Sequence, residues 1–126
     1  VEKIVDHFPE WKDHKESFID SAKHGSLFNI TDFDTGIRYD FITYKDSDYN
    51  YCAFERRGKV VFFGRECWMI SIEDLVISKL QWYNISKSEK QLEDLKFLLL
   101  DKDLDIQYIK SWIFNLQLKT YGILGK

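Results

Sequence analysis

The sequence predicts an α+β domain: a small mixed or antiparallel sheet of about four strands, with helices ahead of it and a three-helix layer behind it. Three observations carry this expectation. Apolar residues make up 44% of the 126-residue chain and aromatics 17%, enough large side chains to build a core without disulfides or metals. Two pairs of short apolar or alternating segments, each pair joined by a glycine-bearing turn, fill the middle of the chain. Helix-start signals followed by apolar residues at helical spacing fill the last part.

Taken in order, Val1 to Phe8 carries Ile4, Val5 and Phe8 at helical spacing, and Pro9, the chain's one proline, punctuates it. A second helix is expected from about Asp13 to Lys23, with Gly25 as its C-terminal stop. Leu27 to Thr31 and Ile37 to Tyr44 read as strands joined by Asp32-Phe33-Asp34-Thr35-Gly36. That is turn chemistry, with acids that bond nearby backbone and a glycine free to take positive φ. In the second strand Asp40 falls on the face opposite Tyr39 and Phe41.

Lys45 to Asn50 is polar and loop-like, and Tyr51 to Arg57 reads as a helical turn. Lys59 to Phe63 and Glu66 to Ile70 form a second hairpin with Gly64-Arg65 at its tip. Ser71 with Asp74, and Ser88 with Gln91, have capping-box spacing at the starts of two helices. Asp103 or Asp105 caps a last helix bearing Ile106, Ile109, Trp112 and Ile113. No repeat, low-complexity tract or linker divides the chain, so one domain over residues 1–126 is expected.

Composition excludes several classes. The longest apolar runs, such as Val60 to Phe63, are too short to span a membrane. The formal charge is −3, with Lys79, Lys87, Lys90 and Lys96 interleaved with acids. That pattern argues against nucleic-acid binding by phosphate neutralisation. Cys52 and Cys67 lack the spacing of a zinc site and read as reduced thiols. With no basic-then-apolar leader at the start, a cytoplasmic location is expected.

Lys79 is the most informative single residue. On a helical projection it lies within an arc formed by Ile72, Leu75, Val76, Leu80 and Tyr83, where an unpaired ammonium is costly. Either it snorkels or pairs with a carboxylate from another element, or it stands at a cleft edge and meets a phosphate. Asp40, in mid-strand between aromatics, is either a water-facing edge residue or a Mg²⁺ ligand. Asp32 and Asp34 spell a DxD, but their place before a turn glycine marks them as backbone acceptors. His7, His14 and His24 lack companions for a triad, Ser26 and Ser71 lack a base, and no phosphate-cradling glycine motif occurs.

Four segments in order add a resemblance. SLFNITDFDTGIRYDFI, Ser26 to Ile42, resembles the strand–turn–strand "SFNLIH…TG.KVDLF" stretch of a bacterial nucleotidyltransferase-like family. Phe54-Glu55-Arg56-Arg57 resembles its ERR block. SIEDLVISKLQWYNISKSEKQLEDLKFLL, Ser71 to Leu99, is similar to "SPEDLILAKL.WY…GSERQ..D…IL". The tail from Asp103, DLDIQYIKSWIFNLQL, resembles the family's closing helix. The match runs from about the second helix to the end, with a more distant similarity to abortive-infection nucleotidyltransferase toxins.

The resemblance implies a metal-dependent nucleotidyltransferase in which carboxylates hold Mg²⁺ ions that orient a nucleoside triphosphate and an acceptor hydroxyl. Asp40 matches the third metal carboxylate, catalytic by its metal. Lys79 matches the helical lysine facing the nucleotide phosphates, and Asp94 the later aspartate that orients Lys79 or caps the cleft. The family's glycine-rich start and DxD lie ahead of the segment matching Val1. This chain therefore resembles a C-terminal part, expected not to transfer nucleotides by itself. The alternative is a catalytically inert binding or regulatory module, such as a toxin–antitoxin component. The nucleotide, the acceptor and the oligomeric state are not named by the sequence.

Overall fold

The structure, a computed structural model, describes Asp6 and residues 9–43 and 46–125. The expected first helix, apart from Asp6, and the end of the second strand at Tyr44 lie outside those residues. The chain forms an α+β fold of two compact units, Val1–Ser47 and Asp48–Lys126. Their boundary falls in the polar stretch that the sequence marks as loop. Among the described residues the four strands form two separate antiparallel hairpins.

In the first unit a 3₁₀ turn, Pro9–His14, leads into α1, Lys15–His24. Gly25 ends α1 at φ 63°, its N–H reaching Ala22 O while Ser26 N–H reaches Ser21 O. That left-handed stop suits glycine, which has no Cβ to clash. Strands β1, Leu27–Thr31, and β2, Arg38–Ile42, pair with Phe28 opposite Phe41 and Ile30 opposite Tyr39. Because paired residues share a face, these four make one apolar surface, and Trp11 and Phe18 close over it. Phe18 packs at a tilt against Phe28 and edge-on against Phe41, and Trp11 packs edge-on against Tyr39 and Phe41. Each buried aromatic of this kind stabilises the unit by about 2–3 kcal/mol.

The second unit opens with α2, Asp48–Glu55, longer than the single turn expected because Tyr49 in its first turn is buried in the core. Strands β3, Gly58–Phe62, and β4, Arg65–Met69, follow. The turn between them is Phe63-Gly64 at φ 48° and 74°. The sequence predicts it one residue later, at Gly64-Arg65, because a left-handed phenylalanine is uncommon.

Helices α3, Ile72–Ser86, α4, Glu89–Leu98, and α5, Ile106–Asn115, form the expected three-helix layer. Their core joins Val76, Ile77 and Leu80 of α3 with Leu95 of α4, Leu104, and Ile109 and Ile113 of α5. Asp105 caps α5, accepting from Tyr108 N–H at 2.9 Å. After α5 the chain is fastened by Asn84, whose side-chain amide donates to Lys119 O at 3.0 Å and accepts from Lys119 N–H at 3.0 Å.

Candidate functional site

Lys79 owes its position to the way α3 begins and to what α3 buries. Ser71 Oγ accepts from Asp74 N–H at 3.1 Å and donates to Asp74 Oδ2 at 2.6 Å, fixing the first turn. From there Asp74, Ile77 and Leu80 follow one another at three-residue intervals, and all are fully buried. The buried stripe is thus centred nearer Ile77 than the arc drawn from sequence, with Ile72 exposed. This rotation moves Lys79 from the middle of the apolar face to its flank, 22% exposed and turned to α4.

On α4 two acceptors meet it. Lys79 Nζ donates to Asp94 Oδ2 at 2.7 Å and to Gln91 Oε1 at 3.3 Å. The hydrogen bond from Lys79 holds the Asp94 carboxyl below the usual carboxylate range, against a smaller opposing push from burial. Asp94 is 39% exposed, so the pair stands at the surface along the α3–α4 seam. Gln91 departs from the capping box read in the sequence. Ser88 is the N-cap residue of α4 but makes no side-chain cap bond, and the Gln91 carbonyl serves Lys79 instead. An ammonium has three N–H groups, and two meet protein acceptors among the described residues. The arrangement presents one oriented cation with a donor to spare, beside an acid that competes for it.

A second cluster, not expected from the sequence, lies at the N-terminal end of α3. Asp74 is fully buried, and its carboxylate accepts from Ser71 Oγ, from Arg56 Nε at 3.1 Å and from Tyr108 Oη at 2.7 Å. Arg56 also donates to Glu73 Oε2 and lies over the Tyr108 ring at 3.9 Å. Glu73 Oε1 in turn accepts from Asp105 N–H. Burial, and then the bond to Asp74, push the Tyr108 phenol well above its ordinary range. Burial likewise pushes Tyr49, which donates to Asp74 O at 2.9 Å, up to about 12.

The Phe54–Arg57 block and the start of the Ser71–Leu99 block, both singled out by resemblance, therefore meet in one polar knot. Every buried side-chain polar atom among the described residues has a partner, so the knot ties α2, α3 and α5 together. The sequence signal for it was Asp74 itself, three residues before Ile77 on the buried stripe. A carboxylate there requires donors from elsewhere.

Asp40 belongs to the first unit. It pairs across the hairpin with Asn29, on the face away from the aromatics, as expected. Its Oδ1 accepts from Arg38 Nε at 2.8 Å, and the side chain is 48% exposed. Magnesium is held by one or two carboxylates with substrate phosphates. The one carboxylate at this position is engaged by a guanidinium, and no group of three or more His, Cys, Asp or Glu able to hold a metal occurs among the described residues. These residues do not by themselves make a magnesium site.

Asp32 does the work of a turn. Its Oδ1 accepts from Asp34 N–H at 2.9 Å and Thr35 N–H at 3.3 Å, and its Oδ2 from Thr35 Oγ1 at 2.6 Å. His24 bonds Asp20 one turn back along α1. An open apolar groove of about 180 Å³ lies between Phe18, Ala22, Phe28 and Phe41, with no titratable side chain to give it chemistry. No helix among the described residues is long and apolar enough to cross a membrane. Compared with family models, curated proteins and solved structures, the chain matches none.

Proposed function

We propose that this chain is the phosphate-binding portion of a nucleotidyltransferase-like protein, with Lys79 contacting the phosphates of a nucleoside triphosphate. The observation that supports it is the Lys79 ammonium, held by Asp94 and Gln91 at the surface of the α3–α4 seam. A free surface lysine samples many rotamers, so a fixed ammonium loses less entropy on meeting a phosphate. In this reading Asp94 and Gln91 orient Lys79. Magnesium enters only with carboxylates from outside the described residues. Both cysteines are free thiols, which suits a reducing cytoplasm.

A second reading has its own support: Asp94 already neutralises Lys79, as in a structural ion pair. The chain would then be an inert binding or regulatory module, for instance a toxin–antitoxin component. Replacing Lys79 by Met separates the two. Calorimetric titration with a nucleoside triphosphate should show binding by the chain and at least a roughly tenfold loss in the variant, the weight of one charge-assisted contact. Equal affinities for chain and variant would remove Lys79 from any nucleotide site.

A further inference from the structure

The β3–β4 hairpin is left open. Neither strand pairs with a third among the described residues, and an isolated two-stranded sheet is marginal in water. Large apolar side chains are exposed at its turn end: Val61 is 76% exposed, Phe62 57% and Phe63 91%. Phe63 also sits in the left-handed region at the turn, a position that asparagine or glycine would fill more easily.

The two edges differ. Strand β4 begins with Arg65 and Glu66, charges of the kind that blunt an edge. Strand β3 carries one charge, Lys59, already paired with Glu66 at 2.6 Å. The two-residue turn makes Phe62–Arg65 the first hydrogen-bonded pair, and the antiparallel alternation then turns the backbone groups of Lys59 and Val61 outward. No other backbone bond reaches either residue among the described residues.

We propose that the β3 edge is a self-association site, where β3 of a second copy adds antiparallel about a twofold axis through Val60. This register follows from the outward groups. They must face outward groups of the other copy, so Lys59 lies opposite Val61, Val60 opposite Val60, and Gly58 opposite Phe62. All five residues of β3 are then paired, giving about four new backbone hydrogen bonds. No charge faces a like charge, and each Phe62 covers a glycine that has no side chain of its own. A register centred on Val61 would need pairing by the turn residue Phe63, and one centred on Lys59 would set two ammonium groups face to face. The product is a four-stranded sheet with β4 and its charges on both outer edges.

Sedimentation of the chain from micromolar to submillimolar concentration tests this. A concentration-dependent dimer is expected. Val61→Lys should weaken it roughly tenfold or more, because the substitution sets an ammonium opposite Lys59 twice per dimer. Far-UV circular dichroism should not change, since Val61 is exposed and its partner within the hairpin is Glu66. The double variant Lys59→Glu/Val61→Lys should recover the dimer by charge pairing. A wild-type chain that stays monomeric, a dimer indifferent to Val61→Lys, or no recovery in the double variant would each overturn the pairing.

Discussion

Among the described residues the buried carboxylate of Asp74 has one cationic partner, Arg56, and the stability of the second unit should depend on it. Replacing Arg56 by Met keeps much of the side chain's bulk and removes the guanidinium. Asp74 is fully buried, and stranding one member of a buried pair costs about 3–5 kcal/mol. Two features reduce this. Ser71 and Tyr108 still donate to the carboxylate, and Arg56 is itself 37% exposed and partly screened by solvent. Loss of the contact over the Tyr108 ring adds back about 0.5–1 kcal/mol. The net expectation is about 3 kcal/mol, which is roughly a hundredfold increase in the opening equilibrium.

Amide hydrogen exchange in α3 and α5 reads that opening within the second unit, independently of the first. Protection of the Val76, Ile77 and Ile109 amides should fall by the same factor. Adding Asp74→Asn to Arg56→Met should recover part of it, since the stranded charge is then gone. A change under about fivefold in the single variant would refute the claim that this pair holds the unit together.

Three further outcomes follow from other contacts. Tyr49 should resist ionisation until about pH 12, visible as a delayed phenolate absorbance. Because its folded value is raised, its stabilising contribution is complete below the unfolded value near 10 and is lost as pH rises from there through 12. Asn84→Ala should release the segment after α5, raising amide exchange at Lys119 by tenfold or so, for the loss of two neutral hydrogen bonds. Exchange in the α3–α5 core should change less. For Lys79→Met the expected loss is in nucleotide affinity, with α3 remaining folded because its buried stripe is untouched.

Much of the fold is legible in local sequence, for physical reasons. Gly25 stops α1 because few other residues take its conformation without cost, and Ser71 and Asp105 start helices because their oxygens reach free N–H groups. The alternation of Phe28, Ile30, Tyr39 and Phe41 yields both strands of the first hairpin and the face they bury. What local sequence does not carry is competition among partners. Gln91 has capping spacing behind Ser88, yet a lysine on the neighbouring helix claims its carbonyl. Asp74 is visible as a cap partner, but its burial depends on Arg56 and Tyr108, 18 and 34 residues away. The position of Lys79 on the flank of α3 follows from the same cause, since a buried Asp74 rotates the apolar stripe toward Ile77.

For the candidate site, helical spacing marked Lys79, a mid-strand position marked Asp40, and resemblance added Asp94. The structure brings Lys79 and Asp94 together through α3–α4 packing. Asp40 sits in the first unit with Arg38 for a neighbour.

The most direct test is residue-resolved. The chain is titrated with a nucleoside triphosphate while backbone and side-chain amide resonances are followed. Shifts should saturate and centre on Lys79, Gln91 and Asp94, with the Gln91 side-chain amide moving as its carbonyl gives up or shares the ammonium. Resonances around those three residues that stay still at millimolar nucleotide, or shifts confined to another surface, would contradict phosphate binding at Lys79.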